Sequence, residues 1–265
     1  MSELIEKIGI GKNFFLIAGN CVVEDEATSF ETARYLEELC RKLDLPLIYK
    51  SSYRKANRTS GNSFVSIGDE AAIDIMAKIK RDLSLPILTD IHEIADLKVV
   101  DNFDVLQIPA FLCRQTELIR AAAGTGKWVN IKKGQFMAPE NMEEAVSKGS
   151  EINNRKFMIT ERGTTFGYNN LVVDFRSLMI MKSFGYPIVY DATHSVQRPS
   201  GLGTSSGGNR EFIYPLTRAA AAVGIDGLFV ETHPEPARAK SDAACQLPLG
   251  EMENLLETIL KIRKA

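Results

Sequence analysis

Eight apolar runs, spread along the whole chain, each stop on a side chain able to do chemistry. FFLIAG leads to Cys21, PLIYK ends on Lys50, PILTD on Asp90 and DVLQ on Gln107. WVNIK ends on Lys132, FMIT gives way to Glu161 and Arg162, PIVYD ends on Asp191, and GLFVE on Glu231. A stretch with helical spacing separates each run from the next. Strand and helix in strict alternation predict an α/β fold with a parallel sheet, and eight repeats predict a closed (β/α)8 TIM barrel. The C-terminal strand ends of such a barrel carry the active site, so one pattern predicts both the fold and the place of the chemistry.

The length of 265 residues fits a single domain over 1–265, since such a barrel takes about 250 residues. A net charge of −2 offers no general attraction to nucleic acid or to an anionic membrane. Any anionic ligand must therefore be held by local cations. MSELIEKIGIGK lacks the apolar core of a signal peptide, and no apolar run approaches the roughly 20 residues of a membrane span. Cys21, Cys40, Cys113 and Cys245 are scattered without a CxxC pair and read as reduced thiols. The expected compartment is the cytoplasm.

Residues 1–12 are expected to cap the barrel bottom, as a short hairpin. Strands are expected near Phe14–Ala18, Pro46–Tyr49, Ile87–Thr89, Val105–Ile108, Trp128–Ile131, Phe157–Thr160, Ile188–Tyr190 and Leu228–Val230. Helices are expected near Ser29–Leu43, from Asp69 as a cap through AAIDIMAKI, and near Ile94–Val100, Thr116–Ala123, Pro139–Lys148, Phe175–Phe184, Pro215–Val223 and Glu251–Arg263. The polar, basic stretch after the second strand is long for a compact domain and reads as functional. SGLGTSSGGN (200–209) follows strand seven and reads as a surface loop or a lid over the site.

Lys50, Lys55, Arg58, Arg114, Lys132 and Arg162 all fall at or just after strand ends. Lysines and arginines favour loops anyway, but Lys50 and Lys132 directly abut apolar strands. There each would be an unpaired half-buried charge without an anionic ligand or a partner. Together the six can hold two phosphorylated substrates, each phosphate bringing about −1.5 to −2 charges. The three histidines, His92, His194 and His233, all come just past strand ends. Cys21, His194 and Glu231 end strands one, seven and eight, which converge when the barrel closes, and Asp242 follows on the next loop. This Cys/His/Glu/Asp set suits Zn2+, Fe2+ or Mn2+, although Cys21 taken singly reads more often as a buried structural thiol. His233 reads either as support for a ligand or as a loop cap. Asp90 and Asp191 fit proton transfer or a grip on a sugar hydroxyl. Glu161 reads as the partner of a neighbouring cation. Gln107, Asn57 and Asn130 are neutral donors and acceptors, Asn130 also fitting a core position.

The stretches KSSYRKANRTS (50–60), TDIHE (89–93), QIPAFLCRQT (107–116), VNIKKGQF (129–136), ERGTTFGYNNLVVD (161–174), DATHSVQ (191–197) and ETHPEP (231–236) resemble the 3-deoxy-D-manno-octulosonate 8-phosphate synthases. The resemblance runs from about Phe14 to the last helix. It implies a barrel enzyme that condenses phosphoenolpyruvate with D-arabinose 5-phosphate for lipopolysaccharide sugar (Kdo) synthesis, usually as a homotetramer. The alternative is a related 3-deoxy-D-arabino-heptulosonate 7-phosphate synthase acting on erythrose 4-phosphate. The KANR motif (55–58) is similar to the octulosonate enzymes, where the heptulosonate enzymes usually carry Lys-Pro-Arg.

By matched motif, the resemblance implies that Lys55, Gln107, Ala110, Lys132 and Arg162 take phosphoenolpyruvate. Asn57, Arg58 and Thr59 take arabinose 5-phosphate, and Arg114 reaches into a neighbouring subunit's site. Lys50 resembles a lysine placed near both substrates, and with Asp90, Asp191 and His194 it makes up the expected catalytic residues. A Cys in the AGxC motif (18–21) marks a metal-dependent class, and SDAACQLPL (241–249) resembles the same class. Cys21, His194, Glu231 and Asp242 are thus the implied ligands, with Asn20 replacing the usual proline.

Overall fold

The computed structural model describes residues 3–56, 63–199 and 207–264. Eight parallel strands form a closed ring: β1 (Phe15–Gly19), β2 (Leu47–Lys50), β3 (Ile87–Asp90), β4 (Val105–Ile108), β5 (Trp128–Lys132), β6 (Phe157–Glu161), β7 (Ile188–Asp191) and β8 (Gly227–His233). Each pairs with its neighbour in sequence order. The ring closes where β1 pairs with β8, Gly19 lying opposite Glu231. Closure removes every sheet edge and brings the first and last quarters of the chain together.

Strand residues alternate between two environments. Leu16, Ala18, Leu47, Tyr49, Leu106 and Val129 pack outward against the helices in one large apolar cluster. Phe15, Ile17, Ile48, Leu88, Val105, Met158, Val189 and Phe229 fill the interior in a second. Such burial stabilises by about 1.5–3 kcal/mol per large side chain.

Helices Glu26–Lys42, Asp69–Leu83, Thr116–Gly124, Met142–Ser150, Arg176–Lys182, Ile213–Val223 and Met252–Lys264 surround the ring. Between β3 and β4 the expected helix over 94–100 is a 3-10 turn, Ile94–Lys98, closed by a reciprocal Glu93–Asp96 capping box. Pro139 opens a 3-10 turn ahead of the α-helix at Met142. Gly68, not Asp69, holds the cap position of the second helix, and Asp69 is its first helical residue.

The N-terminal cap is a helix, Glu3–Ile8, and not a hairpin. Ile5 and Ile8, three residues apart, share one helical face and join the interior cluster. Gly9 and Gly11 then take φ of 63° and 84°, ending the helix. The segment 200–206 of the expected lid lies outside the described residues. Gly207–Gly208 pairs antiparallel with Gln197–Arg198 beside the ring.

Candidate active site

On most strands a polar residue comes two positions beyond an apolar interior one. Ile48 is followed by Lys50, Leu88 by Asp90, Val105 by Gln107, Val189 by Asp191 and Phe229 by Glu231, all of them buried. The strand period of two therefore raises a polar layer directly on an apolar floor. Above it opens a cavity of about 760 Å3, lined by Lys50, Lys55, Asp90, Gln107, Ala110, Lys132, Arg162, His194, Glu231 and Asp242 among others. Cys21 and Asp191 are fully buried behind residues of that wall. Arg114 is exposed and lies off the wall. Asn57, Arg58 and Thr59 fall outside the described residues.

Neither strand-end lysine is an unpaired charge. Lys50 Nζ lies 2.5 Å from Glu231 Oε1 and donates to the Cys21 carbonyl at 3.1 Å. Lys132 Nζ lies 2.5 Å from Asp191 Oδ2 and 3.5 Å from the centre of the Phe229 ring. Burial opposes the charge of Glu231, but Lys50, His194 and Lys55 outweigh it and hold the carboxyl well below its usual range. Asp191 is likewise lowered, burial being overcome by His194 and Lys132. Asp90 is lowered against burial by Lys50, Lys55 and His92, and by a bond from Ser52. Lys55 is raised because Cys21, Glu231, Asp90 and Asp242 together outweigh its burial. Arg162 is lowered by burial yet stays charged, and its Nη1 is buried without a hydrogen-bond partner. A buried donor left free in a cation-lined cavity is a ready anion contact.

The acids share the cavity with these cations. Cys21, Glu231 and Asp242 each offer a ligand atom within 4.8 Å of one another. Cys21 Sγ lies 3.0 Å from Ser241 Oγ and 3.1 Å from Asp242 Oδ2. Burial, then Glu231, pushes its thiol well up. His194 turns Nε2 to 3.7 Å from Glu231 Oε2, while its Nδ1 meets Asp191 Oδ2 at 2.8 Å. That carboxylate contact fixes the ring orientation, as carboxylates do behind metal-ligating histidines. Glu231 Oε2 is buried with no hydrogen-bond partner. Asp242 takes a left-handed φ of 48°, strain of order 1–3 kcal/mol of the kind found at ligand clamps. An orphaned buried carboxylate oxygen beside a thiol, a second carboxylate and an imidazole nitrogen fits a divalent cation.

Sequence reasoning missed several supporting residues. Gln197 takes a hydrogen bond from Arg162 Nη2 at 3.1 Å and donates to Asp242 at 2.9 Å, bridging a cation and an acid of the site. It stands at the end of DATHSVQ, so the motif was visible but its reach was not. Asn20 faces away from the site: it donates to Thr32 and the Thr232 carbonyl and accepts from Tyr49 at 2.8 Å. Glu161 does find a cation, Lys133 at 3.6 Å, and also accepts from Ser177 and the Gly163 amide. His233 accepts from the Glu235 amide at 2.9 Å, holding its own loop. His92 lies 3.6 Å from Asp96 at the cavity edge.

Comparison with known proteins covers nearly the whole chain. The profile of the DAHP synthetase I family matches residues 3–265. A 2-dehydro-3-deoxyphosphooctonate aldolase of Burkholderia mallei (strain SAVP1) is 54% identical over 98% of this chain and 94% of its own. A 2-dehydro-3-deoxyphosphooctonate aldolase 1 of Burkholderia pseudomallei (strain K96243) matches to the same extent. A similarly named aldolase of Paraburkholderia xenovorans (strain LB400) is 53% identical over the same shares.

Proposed function

The chain belongs to the DAHP synthetase I family, and we propose that it condenses phosphoenolpyruvate with D-arabinose 5-phosphate and water. The products are 3-deoxy-D-manno-octulosonate 8-phosphate and inorganic phosphate, a step toward the lipopolysaccharide sugar Kdo. The name shared by relatives at 54% identity favours this eight-carbon product over the heptulosonate alternative.

The observation that carries the mechanism is the meeting of several buried cations and a cation-seeking acidic cluster in one cavity. C3 of the enol ester bonds to the aldehyde carbon of the sugar, whose oxygen becomes a hydroxyl. Water adds at C2, and the resulting hemiketal phosphate releases phosphate by C–O cleavage. Two phosphates and a carboxylate repel one another, and fixed cations offset that repulsion while aligning the carbons. Lys55, Lys132 and Arg162 take the phosphoenolpyruvate phosphate and carboxylate, beside Gln107 and the backbone at Ala110. The free Nη1 of Arg162 supports that assignment. Lys50 lies between the substrates. Asp90 faces the sugar, Asp191 orients His194 and Lys132, and Asn57, Arg58 and Thr59 complete the sugar phosphate contacts. Cys21, His194, Glu231 and Asp242 would hold Zn2+, Fe2+ or Mn2+. A bound divalent ion there supplies a Lewis acid for an aldehyde or a water molecule.

Residues 1–265 act as one catalytic domain, assembled as a homotetramer in the cytoplasm. Exposed Phe111, Phe136, Phe166 and Tyr168, on the connections that follow β4, β5 and β6, support self-association. Arg114, exposed and off its own cavity wall, supports a reach into a neighbouring copy's site. No helix among the described residues is long and apolar enough to cross a membrane.

The deciding experiment measures phosphate release from phosphoenolpyruvate with arabinose 5-phosphate or erythrose 4-phosphate. It is run before chelation, after it, and after metal add-back. Turnover with the five-carbon sugar is expected, lost on chelation and regained with metal. Preference for the four-carbon sugar overturns the substrate assignment.

A further inference from the structure

Polar residues on four consecutive strands form one hydrogen-bonded chain inside the barrel. Thr160 on β6 donates to Asn130 Oδ1 on β5 at 2.6 Å. Asn130 Nδ2 donates to Gln107 Oε1 on β4 at 2.8 Å. Gln107 Nε2 donates to Asp90 Oδ1 on β3 at 2.5 Å, and Ser52 donates to the other Asp90 oxygen. Gln107 and Asp90 reach the cavity; Asn130 and Thr160 are fully buried and do not.

The direction of every bond follows from one end. An ionised carboxylate only accepts, so Gln107 must turn its NH2 group toward Asp90. Its carbonyl then faces Asn130, which must offer its own NH2. The Asn130 carbonyl is left facing Thr160, which must donate. Turning either amide over sets at least one acceptor against another in a buried place, where no water relieves the mismatch. Asp90, Gln107 and Asn130 lie opposite one another in register, and Thr160 follows two positions further along its strand, beyond Met158.

We propose that Asn130 and Thr160 are positioning residues for the condensation. They lock the Gln107 amide in one orientation, and through it hold the Asp90 carboxylate in the single pose that meets the sugar. The inference rests on the reading above that Asp90 faces the reacting sugar. Neither residue touches a ligand, so their effect must pass through Gln107.

Asn130→Asp keeps size and shape but replaces a donor with an acceptor. Asp90 and the new carboxyl then compete for the one NH2 group of Gln107, whose amide is no longer held in a single orientation. Displacement of a reacting group lowers kcat on the order of a hundredfold. Gln107 itself lies beside phosphoenolpyruvate, so the KM for that substrate should rise as well. Thr160→Val keeps shape and removes only the terminal donor, with an expected fall in kcat of about tenfold. Unchanged kcat in both variants overturns the proposal. So does a loss that follows the fraction of protein still folded, read by circular dichroism. Side-chain amide exchange in 15N-labelled protein reads the relay without the reaction. Slow exchange at Gln107 and Asn130 in the wild type, and faster exchange at Gln107 in Asn130→Asp, supports it. Fast exchange in both proteins overturns it. Should the wild type release no phosphate, the functional reading falls, and the exchange data still decide the relay.

Discussion

Arg162 and Asp242 are tied together by a single amide. Gln197 accepts from Arg162 at 3.1 Å on one side and donates to Asp242 at 2.9 Å on the other. A cation of the cavity is therefore linked through one side chain to a member of the acidic cluster. Gln197→Leu is expected to weaken divalent metal binding about tenfold to a hundredfold, as loss of support behind a ligand typically does. Competition against a chromophoric chelator measures this. The same variant should raise the KM for phosphoenolpyruvate. An effect on metal alone would show that the bridge does not couple the cation to the acid.

The Lys50–Glu231 pair is fully enclosed, with side chains 1% and 0% exposed. Glu231→Gln leaves the ammonium without its countercharge, and a loss of about 3–5 kcal/mol is expected in urea unfolding of metal-free protein. The double change Lys50→Met with Glu231→Leu should recover much of that stability while abolishing turnover. A double variant no more stable than Glu231→Gln would locate the effect in packing instead of charge.

Cys21→Asn keeps a polar side chain at the ligand position but removes the sulfur. Metal affinity should drop, and part of the turnover should survive complete chelation. The wild type, assayed side by side, should lose turnover with the chelator and regain it with added metal. No residual activity in the variant, with or without metal, would count against this exchange of roles.

Asp96 ties down the segment after β3. It accepts the backbone amides of His92 and Glu93 at 2.7 and 3.2 Å, and Arg54 at 2.5 Å. Burial opposes its charge, but the His92 ring, those amides and Tyr53 hold its carboxyl well below the usual range. Its folded pKa is thus below the unfolded value of about 3.9. The stability it adds is present above that value and fades as pH falls through the folded one. Urea midpoints compared at neutral pH and near pH 3 should converge between wild type and Asp96→Asn as acid is added. A constant gap between them would assign the effect to something other than ionisation.

The barrel was legible because its signal repeats eight times, and because an apolar residue followed two places later by a polar one reads directly as floor and lining. The pairs Ile48–Lys50 and Phe229–Glu231 show this in sequence and in space alike. The acidic group was legible for a related reason: Cys21 and Glu231 end strands that only a closed ring makes adjacent. The ion pairs of Lys50 and Lys132 were not, since partner choice across a barrel depends on register and depth. Gln197 and Asn20 were hidden because an amide carries no signal of which way it faces. The N-terminal segment was misjudged as a hairpin, since two isoleucines three apart are too few to declare a period, and the 3-10 turn at Ile94 owes its form to the reciprocal Glu93–Asp96 bonds.

Cys21 and Asp242, whose side chains lie 3.1 Å apart, are separated by 221 positions in the chain. A growing polypeptide therefore displays most of its lysines and arginines long before it owns a place for an ion. The cluster that would hold an ion is complete only after the final strand has slotted beside the first.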